Sequence, residues 1–144
     1  MPSHEIIVTD VIDEAELKAI EDGLNQFNDD HVGYGDRQPL AVYVRDQDSG
    51  EFVGGAVGRS SFGLLFLDLL FLPKTVRGKG MGAQILQRFE EEGRRRGCKS
   101  AVVYTISFQA PEFYVRHGWT LFGTIPCDPP GTSRVFLSKA LNTH

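Results

Sequence analysis

The sequence predicts a domain of the α/β class, and three observations support this. A chain of 144 residues fits one domain, and a domain of that size buries roughly 70% of its unfolded surface without needing disulfides or metals. The composition, 41% hydrophobic and 24% charged, is typical of a soluble globular protein. Segments with strand character intermix with segments of helical periodicity, and repeats or low-complexity stretches are absent from the sequence. We therefore expect one domain over residues 1–144.

The beginning of the chain predicts a strand, a helix and a loop. EIIVTDV at 5–11 has the character of a first strand. Residues 13–28 begin with acidic groups and continue with apolar residues at helical spacing, which predicts a helix. Residues 29–40, DDHVGYGDRQPL, are polar and contain glycine, so we expect a loop there.

A hairpin and a central strand follow. AVYVRD and FVGGAVGRS are joined by QDSGE, a pattern typical of two strands and a turn. LLFLDLLFL at 64–72 is apolar at the positions of both faces, which predicts a strand in the middle of a sheet.

The second half of the chain predicts two helices and three strands. Behind the stretch VRGKGMGAQIL, the residues Met81, Ile85 and Phe89 form one helical stripe, and Gly97 ends the helix after three arginines. We expect the acidic residues 90–92 of this helix to form a solvated face. SAVVYTIS predicts a buried strand, APEFYVRHG a short helix, and WTLFGTI and RVFLSKAL the last two strands.

Charge and cysteine content exclude several classes of function. The net charge of −4 argues against nonspecific nucleic-acid binding, which usually shows a basic face. Cys98 and Cys127 lack the spacing of a metal site, so we expect no metal and favour buried thiols over a disulfide. The longest apolar run is interrupted by Asp68 and is too short to span a bilayer, and no signal peptide is visible. We expect a cytoplasmic protein that does not bind membranes.

The stretch VRGKGMGAQIL predicts an anion site. Free amide groups at the start of a helix attract anions, and the helix dipole adds partial positive charge. Gly78, Gly80 and Gly82 remove the side chains that would keep a phosphate from these amides, and Arg77 and Lys79 add positive charge. The alternative is a flexible turn with one packing glycine, which would not need glycine at every second position.

The residues around this loop argue against some of the phosphate ligands that it could bind. GKGMGA formally satisfies the dinucleotide pattern G-x-G-x-x-G/A. That pattern should follow directly on the first strand of a βαβ unit, with an acidic residue about 20 positions later. Here PKTVR intervenes, the loop lies in the middle of the chain, and the next strand ends without a carboxylate. The sequence also lacks a G-x-x-x-x-G-K-[ST] motif.

Two motifs in register resemble the GNAT family of N-acetyltransferases. Arg77-x-x-Gly80-x-Gly82, preceded by an apolar strand and PKTV, resembles the coenzyme A motif of that family. FQAPEFYVRHGW at 108–119 is similar to its A-x-x-F-Y-x-x-x-G-F/W element, one strand and one helix further on. The residues GC at 97–98, FQAP and the late PPG…RVFL are similar to a subgroup of small bacterial members.

This resemblance implies a fold and a cofactor. The family fold is a mixed, mostly antiparallel sheet of six to seven strands with about four helices, whose two central strands splay apart to admit the pantetheine arm of acetyl-CoA. The backbone of Leu70, Phe71 and Leu72 would pair with the pantetheine amides. The pyrophosphate would be held by the loop residues Arg77, Gly78, Lys79, Gly80, Met81, Gly82 and Ala83. Ser107 stands where the family often has a cofactor-binding asparagine.

The resemblance also implies catalytic roles. An alkylamine with a pKa of ~10.4 is protonated at neutral pH, and exposing its lone pair costs about 4–5 kcal/mol, so a base is useful. Asp68 stands where many relatives carry an acidic residue and is our candidate base. The alternative is a carboxylate satisfied by a neighbouring hydrogen bond or salt bridge. Tyr114 stands at the tyrosine position of the family and is our candidate donor to the leaving thiolate; the alternative is an ordinary packing tyrosine.

We therefore expect an acetyl-CoA-dependent N-acetyltransferase that acts on a primary amine of a small molecule or a peptide. His31 and Tyr34 lie where relatives line the acceptor pocket, although the alternative of an exposed pair without function has at least as much support. A homodimer is expected from the resemblance alone. Two other readings are a noncatalytic module that binds coenzyme A or acyl-CoA and, with less support, a nucleotide-dependent reductase.

Overall fold

The computed structural model describes residues 3–141. These residues form two compact units, one that ends at Gly35 and one that begins at Asp36. The organisation of residues 1–144 as a single domain stays a prediction.

The first unit contains one long helix, α1 (Glu14–Val32). The side chain of Asp13 caps its start by accepting a hydrogen bond of 3.0 Å from the Glu16 amide. The helix ends at Gly33, whose φ of +95° is the left-handed conformation that glycine adopts at low cost. The helix therefore includes residues 29–32, which we expected to be a loop, because the terminating Gly33 comes six residues after Phe27, the last residue of the apolar pattern.

The segment 5–11 is not a strand in this structure, so that prediction was wrong. Within this segment, the Val11 amide donates a hydrogen bond of 3.0 Å to Thr9 Oγ1, which closes a local turn. Its β-branched residues indicate a preference for extended backbone, but a strand forms only where a neighbouring strand supplies hydrogen-bond partners.

The second unit is built on a sheet of six strands, which confirms the predicted fold class. The strands are β1 (Gln38–Arg45), β2 (Phe52–Ser61), β3 (Leu64–Phe71), β4 (Ser100–Ile106), β5 (Thr120–Pro126) and β6 (Ser133–Ala140). Their order in the sheet is β1-β2-β3-β4-β6-β5. All neighbours are antiparallel except β3 and β4, which are parallel.

Two helices belong to this unit, α2 (Met81–Arg95) and α3 (Glu112–Arg116). Residues 3–141 thus hold three α-helices where we expected about four, together with two short 3-10 turns. Phe89 of α2 is fully buried, and at Gly58 a Cβ atom would lie 2.8 Å from the Phe89 ring. The absence of a side chain at Gly58 makes room both for this ring and for the Phe66 carbonyl oxygen of β3.

The central strands splay apart, as expected. β3 and β4 pair only from Leu64–Leu67 to Ser100–Val103, although both strands continue beyond these residues. On its other side β3 carries a bulge, because Val57 pairs with Leu69 and Gly58 with Leu67, which leaves Asp68 as the extra residue. A bulge bends its strand and increases its twist, so it directs the end of β3 away from β4.

The C-terminal turns of α2 connect to both sides of the splay. The Arg96 guanidinium donates to the carbonyl oxygens of Gln38 and Pro39 at 3.2 and 3.1 Å, on the β1 side of the sheet. Arg94 Nε donates to the Leu141 carbonyl oxygen at 2.9 Å, just after β6. One helix therefore anchors the two halves of the sheet.

The prediction of a solvated acidic face on α2 was wrong for Glu90, which is only 3% exposed. Its carboxylate accepts a hydrogen bond from Trp119 Nε1 at 3.0 Å and one from Lys139 Nζ at 2.6 Å. Glu90 lies one turn after Leu86 on the buried stripe of the helix, and this spacing was the available signal. A buried carboxylate needs such partners because it has lost its hydration.

Glu90→Gln is expected to lower the free energy of unfolding by about 2–3 kcal/mol, because the Lys139 ammonium loses its counter-charge in a partly desolvated site. Urea denaturation measures this change. The control is Glu91→Gln on the adjacent exposed position, which should change stability by less than about 0.5 kcal/mol. Equal effects of the two substitutions would contradict a structural role for the Glu90 carboxylate.

Candidate active site

The splay of β3 and β4 opens a cleft of about 610 Å³ in the second unit. Its walls come from the end of β3, the end of β4, the first turn of α2, and α3 with the segment that leads into it. The residues that line it are Asp68, Leu69, Leu70, Phe71, Leu72, Arg77, Gly82, Val103, Tyr104, Thr105, Phe108, Gln109, Ala110, Phe113, Tyr114 and Arg116. Asp68, Tyr114, the β3 end and part of the glycine loop, all predicted site residues, are thus brought to one cavity.

The cleft exposes large apolar side chains. Leu69, Phe71, Tyr104 and Phe108 are each 60–70% exposed, which leaves apolar area on both walls without cover. Apolar surface gathered in a concave site is typical of a ligand pocket. Tyr104 and Phe108 were not predicted, although both come from segments that flank the predicted splay.

One backbone edge of the β3 end is available to a ligand. Leu70 and Phe71 pair with Ala56 and Gly55 of β2, whereas the ladder with β4 has already ended at Leu67. An extended molecule lying in the cleft could therefore add to this edge as a strand does. The predicted role of Leu70, Phe71 and Leu72 in binding pantetheine stays a prediction that this geometry supports.

The glycine loop presents a row of unpaired amides. From Gly78 to Ala83 the backbone N–H groups donate to no acceptor within residues 3–141, and the first bond of α2 runs from the Gln84 amide to the Gly80 carbonyl oxygen at 3.1 Å. Gly78 and Gly80 have φ values of +80° and +77°, in the left-handed region that favours glycine. This arrangement is that of an anion site at a helix N-terminus. The loop can hold a pyrophosphate, and Met81, Gly82 and Ala83 belong to it as the first turn of the helix.

Arg77 connects the loop to the cleft. Its Nε donates to the Leu72 carbonyl oxygen at 2.7 Å, and its guanidinium carbon lies 5.9 Å from the centre of the Phe71 ring. The anchored guanidinium keeps positive charge at the end of β3, while Lys79 is exposed to solvent. Both cations can attract a polyanionic ligand over a distance.

Asp68 lines the cleft and is paired with a cation. Arg59 Nη1 lies 2.8 and 2.9 Å from the two carboxylate oxygens, and its guanidinium also stacks over the Phe66 ring at 4.1 Å. The salt bridge that we gave as the alternative is therefore present, with about half of each side chain exposed. A role as base stays a prediction, and the carboxylate would have to accept a proton while it is held by Arg59. Arg59 was not predicted, because the bulge brings the two side chains together.

Tyr114 is enclosed by aromatic rings at the cleft. Only 6% of the residue is exposed, and its ring meets those of Phe113 and Trp119 edge-on at 5.2 and 5.6 Å. Burial raises the pKa of Tyr114 to about 12, so its phenol is neutral at working pH. The hydroxyl makes no hydrogen bond to another described residue, and it can donate one to a group in the cleft.

Ser107 has a partner within the protein. Its Oγ accepts a hydrogen bond of 3.0 Å from the Ser133 amide, which fastens the turn after β4 to the start of β6. The hydroxyl keeps its own proton for donation. A contact between Ser107 and the cofactor stays a prediction.

His31 and Tyr34 are not among the residues that line the cleft. His31 is in the last turn of α1, and Tyr34 follows the Gly33 cap, so both belong to the first unit. Their role in acceptor binding stays a prediction.

Both cysteines are free, with Cys98 buried and Cys127 partly exposed. Across residues 3–141, His, Cys, Asp and Glu side chains form no group that could hold a metal ion, and no helix is long and apolar enough to cross a membrane.

Comparisons with known proteins show which family the chain is similar to. The Acetyltransferase (GNAT) family matches residues 9–119. An acetyltransferase of Agrobacterium fabrum is 35% identical over 133 residues, which cover 92% of this chain and 96% of that protein. Blasticidin-S acetyltransferase of Streptomyces morookaense is 39% identical over 107 residues, with 72% and 79% of the two chains covered. A crystal structure from Agrobacterium tumefaciens, assigned as an acetyltransferase, superposes with a TM-score of 0.87 at 34% identity, covering 95% of this chain and 99% of that one.

Proposed function

Since the chain belongs to the GNAT family of acetyltransferases, we propose that it transfers the acetyl group of acetyl-CoA to a primary amine of a small molecule or a peptide. The family makes the protein an N-acetyltransferase and implies acetyl-CoA as its co-substrate. The proposal adds the class of acceptor, direct attack within a ternary complex, and the roles of individual residues.

The observation that carries the proposal is the position of the unpaired amides beside the open edge of β3. The amides from Gly78 to Ala83 suit a pyrophosphate, and the edge at Leu70 and Phe71 suits an extended arm that carries amide groups. Coenzyme A has these two parts in sequence, followed by the thioester. Gly82 and Arg77 line the same cleft as the β3 end, so the two subsites are continuous.

The residues of the cleft can take up the amine proton and stabilise the leaving group. The amine nitrogen forms a bond to the acetyl carbonyl carbon, the carbon–sulfur bond breaks, and the sulfur leaves as a thiolate with the electron pair of that bond. We assign the proton that the amine loses to Asp68, directly or through water. We assign the hydrogen bond to the departing sulfur to Tyr114, whose raised pKa keeps it protonated.

The proposal also specifies the class of amine that accepts the acetyl group. A relative named for acetyl transfer to blasticidin S supports an acceptor other than a protein, while a peptide amine remains the second class to test. We place His31 and Tyr34 on the acceptor side. We also propose a single N-acetyltransferase domain over residues 1–144, a cytoplasmic location and, from the family resemblance alone, a homodimer.

Release of free thiol from acetyl-CoA across a panel of amines and amine-terminated peptides tests this function. We expect turnover with at least one amine, with one acetylated product formed per thiol released. Incubation with acetyl-CoA alone should leave the protein mass unchanged, because direct attack needs no acetyl-enzyme. Tight binding of coenzyme A without turnover on any amine would instead favour a noncatalytic binding module.

A further inference from the structure

The side chain of Gln109 is held in one orientation at the cleft. Gln109 ends the 3-10 turn Ser107–Gln109 that follows β4, and it lines the cleft. Its Oε1 accepts two hydrogen bonds of 3.0 Å, one from the Ile106 amide and one from the Thr105 hydroxyl. A backbone amide can only donate, so the oxygen and not the nitrogen of the carboxamide must face Ile106.

This constraint assigns the direction of the NH₂ group. With the oxygen fixed by two donors at the splayed end of β4, the two N–H donors of Gln109 face away from the strand. No residue in the described range 3–141 accepts a hydrogen bond from them. The conformation of the next residue indicates that the turn is held in place, since Ala110 adopts the left-handed conformation with φ +62° and ψ +62°. A residue other than glycine keeps this conformation only where its surroundings impose it.

The cleft also contains other side-chain donors, namely the hydroxyls of Tyr104 and Tyr114 and the guanidinium groups of Arg77 and Arg116, whereas Leu69, Phe71 and Phe108 are apolar. Among these donors the Gln109 carboxamide is neutral and has its orientation fixed by two hydrogen bonds. A ligand that brings carbonyl oxygens into such a cleft loses hydration, and each oxygen needs a donor to replace the lost water. A neutral, oriented N–H group meets that need at a low cost in side-chain entropy.

From this geometry we propose that the Gln109 carboxamide donates a hydrogen bond to a carbonyl oxygen of the acyl-pantetheine arm. The inference rests on the proposed function, since it assumes that the arm of acetyl-CoA lies in the cleft. Gln109 thereby has two tasks. Its oxygen accepts the hydrogen bonds of Thr105 and Ile106 at the end of β4, and its nitrogen binds the ligand. It is a binding residue and takes no part in proton transfer.

Gln109→Glu separates the two tasks. The substitution keeps an oxygen for Ile106 and Thr105 but replaces the NH₂ donor by a second acceptor. Calorimetry with acetyl-CoA, coenzyme A and adenosine 3′,5′-bisphosphate then gives the readout. We expect roughly tenfold weaker binding of acetyl-CoA and a melting temperature close to that of the wild type. The bisphosphate, which contains phosphates but no carbonyl arm, should bind as tightly as before.

The three ligands distinguish the sources of the effect. A loss for acetyl-CoA and coenzyme A together locates the acceptor at a pantetheine amide, and a loss for acetyl-CoA alone locates it at the thioester. A loss of the same size for the bisphosphate would show general charge repulsion and overturn the proposal. The neutral variant Gln109→Met removes the oxygen as well as the donor, so it should show the same binding pattern together with a lower melting temperature. Gln47→Glu, in the exposed hairpin turn, controls for the added charge.

Failure of this inference is distinct from failure of the proposed function. If the wild-type protein does not bind acetyl-CoA, the proposed function falls. If the wild type binds acetyl-CoA and both Gln109 variants bind it equally well, only the role of Gln109 is overturned.

Discussion

Tyr114→Phe is expected to lower kcat for acetyl transfer by about 10²-fold, with little change in the affinity for acetyl-CoA. The substitution removes the O–H donor but keeps the ring, so the edge contacts with Phe113 and Trp119 remain and the fold is preserved. A positioned proton donor contributes typically about 10²–10⁴-fold to a rate, and a thiolate is a good enough leaving group to place the effect at the lower end. Steady-state assays of thiol release measure kcat, and calorimetry measures the affinity.

The pH dependence of the same reaction follows from burial of this side chain. Because burial raises the pKa of Tyr114 to about 12, the protonated form, which donates, persists throughout the neutral and mildly alkaline range. The wild-type enzyme should therefore show no fall in kcat from Tyr114 ionisation below about pH 11.

The matched control for Tyr114→Phe is Tyr43→Phe. Tyr43 is an exposed residue of β1 that does not line the cleft, so this variant should keep the wild-type kcat. A Tyr114→Phe enzyme with full kcat would remove the tyrosine from the mechanism.

Gly80→Asp is expected to weaken binding of coenzyme A by about 10²-fold. A Cβ atom at Gly80 would meet nothing within 4 Å, so the new side chain fits, but its carboxylate would lie before the amides that we assign to the pyrophosphate. Two like charges about 4 Å apart repel by about 1 kcal/mol in water and about 4 kcal/mol near a protein surface, a range that includes this loss. Calorimetric titration with coenzyme A gives the dissociation constant.

Two controls separate charge from backbone strain. Gly80→Asn has nearly the same shape without charge, and asparagine tolerates the left-handed conformation at φ +77°, so it should lose much less affinity. Gly63→Asp places the same side chain at another open glycine, with φ +83° in the turn between β2 and β3, and should leave affinity unchanged. If Gly80→Asp binds coenzyme A as tightly as the wild type, the loop does not hold the pyrophosphate.

The parts of the site that could be predicted are those encoded by residues close together in the chain. The glycine loop and Tyr114 each belong to a short motif, and each takes the local structure that the motif predicts. The splay was predicted from the family resemblance, and the structure supplies its cause in a short ladder and a bulge at Asp68.

The parts that could not be predicted depend on contacts between distant segments. The helical spacing signals that Glu90 faces the core, but its partners Trp119 and Lys139 come from positions 29 and 49 residues away and could not be predicted. The pair of Asp68 and Arg59 depends on the register of two strands, which a bulge shifts by one residue. Gln109 lies within a recognised motif, yet the direction of its carboxamide follows only from the hydrogen bonds it makes.

The short junction between β3 and β4 has a mechanical consequence. Within residues 36–141, four residue pairs join two three-stranded halves, and α2 fastens both halves behind them. Because so few residue pairs join the two halves, we expect flexing of the sheet to be concentrated at this junction. A thioester arm bound along β3 would lie at the open end, so its rate of dissociation should depend on the stiffness of the junction as well as on the contacts that the arm makes.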